Sequence, residues 1–369
     1  DMNKTIALLL AVLMCCFLFV GCGSSDEDDG GNGAPPDVDD GGIKKPDIIE
    51  TVITDPLTGE TISEDISGSR PYCVMINNHP DARPCAGLSK AGIVYEAVVE
   101  GGITRLMAVF NDIDGITLGS IRSCRPYYLS LAQSYDAIYV HAGGSEEGYS
   151  DIKTLGINNI DGVRGYRNGE ASSYYRDTNR KYSGVNIEHT LFASGAKLAE
   201  FAKANYNMNH ADGFDTTYGL TFKADAASQC TKDAQSFRVY FSGWYSSVLK
   251  YSSSKDCYNL FMSDKEYIDD VETGSTADDV SIDFKNVIIL DVSTKTIDSY
   301  GRQEMEVTGS GNGFFCCGGK YVEIKWERAD RSDTFHYYLT DGTPLSLGVG
   351  KTYIAIADFE SFKGVEWNV

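Results

Sequence analysis

Basic side chains are scarce in this 369-residue chain: 32 lysines and arginines stand against 53 aspartates and glutamates, a net charge of −21. A balance so acidic argues against general nucleic-acid binding, which needs cations to displace phosphate counterions. No Cys-x-x-Cys occurs, leaving a zinc ribbon or a thioredoxin-type motif unsupported. No Gly-x-Ser-x-Gly elbow is present, and no internal repeat. The Asp-rich run near the start lacks the Asp-x-Asp-x-Asp-Gly spacing of a calcium loop. No metal and no cofactor are expected. Nor is there an apolar run of membrane-spanning length. The longest is residues 6–20, and fifteen residues at ~1.5 Å each fall short of a ~30 Å hydrocarbon core.

What that short run does carry is a secretory pattern. Lys4 precedes it, and it closes Leu18-Phe19-Val20-Gly21-Cys22. A small residue before a cysteine at the end of a signal peptide resembles a bacterial lipobox. Residues 1–21 are therefore expected to be removed and Cys22 to carry diacylglycerol, whose two chains give stable anchoring. Residues 24–65 then hold thirteen acidic residues and two lysines, a local charge of −11 that leaves −10 for the rest. With glycine pairs and almost no aromatics, residues 22–65 read as a solvated acidic tether. Seven cysteines remain beyond Cys22, an odd number at irregular spacing and no disulfide framework.

The remainder reads as α+β. Between 66 and 232, apolar β-branched runs (72–76, 93–99, 103–110, 137–141) alternate with helical spacing (123–135, 192–205), an α/β layered domain. Ser123 is expected to cap the first helix, with Pro126 in its first turn. From 233 to 369, strands follow one another with hairpin signals at Gly318-Gly319 and Asp341-Gly342. Val322, Ile324 and Trp326 alternate with Glu323, Lys325 and Glu327. This half reads as a mostly antiparallel β domain.

The segment Arg70-Pro71-Tyr72 to Asn77-Asn78-His79-Pro80-Asp81-Ala82-Arg83-Pro84 resembles the opening of the YerB-like family of exported bacterial proteins described as lipoproteins. Gly87-Leu88-Ser89-Lys90-Ala91, Gly101-Gly102-Ile103-Thr104-Arg105, Ile121-Arg122-Ser123-Cys124-Arg125-Pro126-Tyr127 and Tyr135-Asp136-Ala137 to Gly143-Gly144-Ser145 continue it. Tyr175-Arg176-Asp177 and His189-Thr190-Leu191-Phe192 resemble a later motif; Asn286-Val287-Ile288-Ile289, Gly309-Ser310-Gly311, Trp326-Glu327 and Gly350-Lys351-Thr352-Tyr353 resemble the second domain. The resemblance implies an anchored two-domain protein and brings no catalytic residue to transfer.

The polar residues in these motifs are Glu96, Arg105, Arg122, Arg125, His141, Arg176, Asp177 and His189. Glu96 lies within an apolar strand, where a charge needs a partner, and an arginine is expected. One reading is a buried ion-pair network. The other is a pocket in which Arg122 and Arg125 hold a carboxylate or phosphate bidentately. Ser145 is expected to cap a helix rather than act as a nucleophile, and Cys124 to fill space rather than react. Two functions follow. The first is a non-enzymatic surface lipoprotein on the outer face of the cytoplasmic membrane, binding an anionic cell-wall ligand or a membrane-protein partner. The alternative is a hydrolase or transferase on wall polymers, with His141 or His189 as base and Glu96 beside it. Convergence of these three and the arginines on one open cleft would favour the second.

Overall fold

The apolar runs become strands buried on both faces in the computed structural model, which describes residues 52–165, 170–270 and 280–369. The signal peptide, Cys22 and the tether up to residue 51 lie outside the described residues. In chain order the first half holds β1 (Tyr72–Asn77), β2 (Ile93–Val98), β3 (Thr104–Phe110), β4 (Thr117–Gly119), α1 (Pro126–Gln133), β5 (Ile138–His141), α2 (Glu146–Thr154), β6 (Asn159–Asp161), β7 (Tyr174–Arg176), the five-residue α3 (Thr178–Tyr182), β8 (Leu191–Ser194) and α4 (Gly195–Asn205). The second half holds β9 (Ser236–Tyr240), β10 (Ser246–Ser252), β11 (Cys257–Met262), β12 (Asn286–Asp291), β13 (Thr294–Thr296), β14 (Gln303–Met305), β15 (Gly309–Cys317), β16 (Lys320–Arg328), β17 (His336–Leu339), β18 (Thr352–Ala357) and β19 (Val365–Trp367), besides strands of two residues.

One sheet runs through both halves in the order β17-β16-β15-β12-β18-β2-β3-β1-β5-β6. β2 and β1 flank β3 in antiparallel register, and β5 and β6 continue in parallel beside β1. β18 lies parallel to both β2 and β12, so the carboxyl half contributes neighbours to the centre of the same sheet. The fold is α+β, with the carboxyl half mostly antiparallel. Position 232/233 is expected as a domain boundary; the described residues between 52 and 369 form one compact unit. β9, β10, β11 and β19 make a second sheet, and β4, β8 and β7 a third.

Three local expectations are corrected. Residues 52–65, assigned to the tether, are packed onto the fold: Leu57 is fully buried, Asp55 accepts from Asn111 Nδ2 at 2.7 Å, and the Thr58 carbonyl accepts from Gly350 N at 2.8 Å. Acidic composition averaged over forty residues hid one buried leucine. The helix expected over 192–205 starts at Gly195, because Leu191–Ser194 pairs with β4 and β7 as a strand. A side chain at Gly195 would bring its Cβ to 1.9 Å from the Ile113 carbonyl oxygen, so only glycine lets this helix start there. Ser123 does not cap α1; the N-cap is Arg125, without a side-chain bond. Ser145 does cap α2, accepting from Gly148 N at 3.0 Å.

All seven cysteines after Cys22 are free, and six are buried. Cys316 and Cys317 point to opposite faces of β15 and both are fully covered, since the strand is packed on each side. A side chain at Gly144 or Gly148 would bring its Cβ to 2.4 or 2.9 Å from the Cys124 sulfur, so this thiol fills the space the two glycines leave.

A guanidinium locks the halves together. Inward alternation along β16 continues from Ile324 and Trp326 to Arg328, which is fully buried. It has no carboxylate partner within ion-pair distance among the described residues. Its nitrogens donate to Ser130 Oγ (2.9 Å), the Ser130 carbonyl (2.6 Å) and Ser134 Oγ (2.9 Å) on and beside α1, and to the carbonyls of Val307, Arg331 and Asp333. Lysine cannot reproduce this planar fork. Arg328→Lys is expected to lower unfolding stability by about 3 kcal/mol while keeping one transition in urea. A second, separate transition for the carboxyl half would contradict the coupling.

Candidate functional site

The segment between β4 and α1 carries three motif residues in a fixed frame. Arg122 N donates to the Met75 carbonyl (3.0 Å), its carbonyl accepts from Ala142 N (2.9 Å), and Cys124 N donates to Gly143 O (3.0 Å). This ties Arg122 and Arg125 to the ends of β1 and β5, beside Arg105 on β3. The three arginines line a cleft of about 530 Å³ with Glu100, Glu146 and Glu188. Tyr300 and Arg302, from the turn between β13 and β14, form its other wall. The volume is that of a small-molecule site.

The charges in the cleft are unequally matched. Arg125 is consumed by a bidentate pair with Glu100 (2.6 and 2.8 Å). Burial pushes the Glu100 carboxyl up, but Arg125 outweighs it and holds Glu100 below the usual range. Arg302 spans to both Glu147 oxygens at 2.8 Å and to Asp298 at 3.0 Å. Arg122 reaches Glu188 only at 3.4 Å, and its Nε is buried without a hydrogen-bond partner. Arg105 is 4% exposed and donates to the Ser123 carbonyl (2.8 Å), with no carboxylate within ion-pair distance among the described residues. Burial, then the neighbouring Arg125 and Arg122, pull it down to about 10, so it stays a cation at neutral pH. Arg105 and Arg122 are thus under-compensated cations at an open cleft.

The other expected site residues lie elsewhere. Glu96 is fully buried and has hydroxyl and amide partners in place of the expected arginine: Thr104 Oγ1 (2.6 Å), Asn78 Nδ2 (3.1 Å), Ser247 Oγ (2.9 Å) and the Tyr353 hydroxyl. Burial raises its pKa. His141 faces two acceptors, Gly143 O (2.7 Å) and Asn159 Oδ1 (3.0 Å), so its ring carries both protons. Burial pulls it down, but Cys124 and the Asp161 charge outweigh that and push it up to about 9. Asp177 caps the next turn, accepting from Asn179 N (2.9 Å), and pairs with Arg180 (3.1 Å). Arg180, which drew no attention in the sequence, also reaches Asp270 (3.3 Å) and the Ala82 and Pro84 carbonyls. Arg176 is exposed, donating to Ile187 O at 2.5 Å. His189 stacks on His79, ring centroids 4.5 Å apart. None of Glu96, His141 and His189 lines the arginine cleft.

His79, Asp81 and His189 bring potential ligand atoms within 4.8 Å of one another, but their bonding does not suit a metal ion. Asn77 Oδ1 accepts from His79 N (3.0 Å), so its Nδ2 faces His189 Nδ1 (2.9 Å), which must accept. The neutral ring then carries its proton on Nε2, 3.5 Å from Glu188. His79 Nδ1 likewise accepts from Asp81 N (3.1 Å).

The family described as "Protein of unknown function (DUF3048) N-terminal domain" matches residues 57–211, and its C-terminal domain matches residues 237–354. The "Putative lipoprotein YerB" of Bacillus subtilis (strain 168) is 29% identical over 305 residues, covering 82% of this chain and 85% of that protein. The chain belongs to the YerB-like family. The crystal structure of the B. subtilis YerB protein superposes with a TM-score of 0.70 at 25% identity, covering 86% of this chain and all of that one. Both family domains build the cleft: Arg105, Arg122 and Arg125 fall in the N-terminal match, Tyr300 and Arg302 in the C-terminal one. Tyr300 and Arg302 escaped sequence reasoning because nothing in Asp298-Ser299-Tyr300-Gly301-Arg302 signals contact with a residue 155 positions away.

The sealed carboxyl carries a pH signature. The folded state holds the Glu96 proton above the ordinary carboxyl value of 4.5, whereas the unfolded chain releases it there. The stability it contributes is full below that value and is lost as pH rises through the folded-state pKa. Glu96→Gln is neutral throughout, so its stability relative to the parent should rise as pH increases from 4.5, read as urea midpoints between pH 4 and 8. A pH-independent difference would contradict a raised pKa.

Proposed function

We propose that this YerB-like protein is an extracytoplasmic, lipid-anchored binding protein whose arginine cleft holds an anionic group of a cell-envelope component. The observation that carries the reading is the pair of under-compensated guanidiniums. Arg105 is buried without a carboxylate, and Arg122 has a buried Nε without a partner. A buried cation left short of acceptors is destabilising unless something supplies them. A carboxylate or phosphate would complete both forks. The anchor rests on the lipobox at Cys22 and on the relative's printed description as a lipoprotein. Against catalysis, His141 faces two acceptors and has no free lone pair to take a proton, Glu96 is closed in by hydroxyls, and neither reaches the cleft.

Two measurements test this. Full-length Arg122→Ala should lose at least tenfold in retention on purified wall fragments at low salt. Its stability should stay within about 0.5 kcal/mol of the parent, because its pair with half-exposed Glu188 is long. Arg125→Ala, by contrast, leaves Glu100 unpaired and should lower stability by about 2 kcal/mol. Equal retention of Arg122→Ala and parent would overturn the cleft reading. Cys22→Ala should release the protein from the membrane fraction; unchanged fractionation would contradict the anchor.

A further inference from the structure

Building on that reading, we infer that the cleft accepts a carboxylated sugar residue, clamped through its carboxylate by Arg105 and Arg122 and stacked by its ring face on Tyr300. The inference rests on which charges of the cleft are paired and on its rim.

Of the four guanidiniums that line the cleft, Arg125 is paired with Glu100 and Arg302 with Glu147 and Asp298, which leaves Arg105 and Arg122 as the open forks, facing Glu146 and Glu188. A phosphate monoester carries nearly two negative charges at neutral pH and would face three carboxylates. A single carboxylate brings the smallest negative charge that can bridge the two open forks. Glu146 and Glu188, with oxygens not taken up by a strong pair, then serve as acceptors. The ligand class that brings one carboxylate together with several hydroxyl donors is an acidic sugar. The charged wall gives an apolar peptide side chain no seat.

The rim supplies the second element. Tyr300 is 79% exposed at the cleft edge, a large ring that folding leaves in water. The Arg302 guanidinium lies 5.6 Å from its centroid and holds the ring in place. Trp244, 64% exposed, does not line the cleft but lies against Gly102, beside the lining residue Ile103. A Cβ on Gly102 would stand 2.8 Å from the Trp244 indole nitrogen, and one on Gly301 would stand 3.7 Å from Gly101 N. The Gly101-Gly102 turn is thus the point where the two aromatic corners of the second half meet the first half. Next to it, Val99, Glu100 and Ile103 enter the cleft. The negative face of an aromatic ring attracts the polarised C–H bonds on the flat side of a pyranose. An exposed ring beside a carboxylate clamp therefore reads both halves of an acidic sugar, and the Trp244 ring offers a place for a neighbouring unit.

Calorimetric titration of the full chain with four probes at low salt decides the matter: trigalacturonate, neutral maltotriose, triglutamate and uridine monophosphate. Trigalacturonate is expected to bind tightest, triglutamate and maltotriose each at least tenfold weaker. Tyr300→Ala should weaken trigalacturonate about tenfold and leave triglutamate unchanged, while Tyr300→Phe keeps the parent affinity. Because Tyr300 is exposed, neither variant puts folding at risk. Equal binding of trigalacturonate and triglutamate, indifferent to Tyr300→Ala, would overturn the sugar assignment and leave the anion reading standing. Uridine monophosphate binding tightest would overturn it in favour of a nucleotide. No binding of any anionic probe, or binding unaffected by Arg122→Ala, would overturn both readings together.

Discussion

Two ionisable side chains sit at zero exposure where the halves of the chain meet, and each is satisfied only when both halves are in place. Arg328, on a strand of the second half, hands its donors to Ser130 and Ser134 on and beside a helix of the first. Glu96, on a strand of the first, takes donors from Ser247 and Tyr353 of the second. Burying either without partners would be strongly destabilising. With the parallel pairing of β2 and β18 running between them, this seam makes two sequence domains one body. The arginine cleft depends on it, because its floor comes from one half and its aromatic wall from the other.

The cleft differs from the rest of the molecule in how its charges are matched. Three arginines elsewhere are fully supplied: Arg328 by carbonyls and hydroxyls, Arg180 by Asp177, Asp270 and carbonyls, Arg70 by Asp136, Asn158 and Asn207. Arg83 keeps a buried Nε without a partner but donates to the Asn78 carbonyl and the Tyr245 hydroxyl. Arg125 belongs with the first three. Arg105 and Arg122 stand apart, held close to a third guanidinium and short of acceptors. A fold able to satisfy a buried arginine three times over has left two incompletely satisfied at one open cleft, which is why the site is read as a place for a ligand's oxygens.

Much of the fold was legible. The apolar runs over 72–76, 93–99, 103–110 and 137–141 are strands, Ser145 caps a helix, and Gly318 and Gly319, with φ of 61° and 74°, form the turn of the β15–β16 hairpin. Alternation along β16 already pointed Arg328 inward, though the sequence names no partner for it. Arg105, Arg122 and Arg125 were drawn from motifs and do share one cleft; Glu96, His141, Arg176, Asp177 and His189 came from the same motifs and do not line it. Motif membership selects polar residues that matter to the fold and to a site alike, and it does not separate the two.

Local chemistry therefore settles which segments are strands, where turns must fall, and which residues are too polar to be buried alone. These follow from side-chain period, backbone preference and charge, all properties of near neighbours. Whether Glu96 meets an arginine or a set of hydroxyls, whether residues 52–65 stay in water, and whether Tyr300 comes to stand beside Arg122 depend on contacts between segments up to 257 positions apart. Such contacts are chosen by the joint packing of one continuous sheet, and no local pattern encodes them.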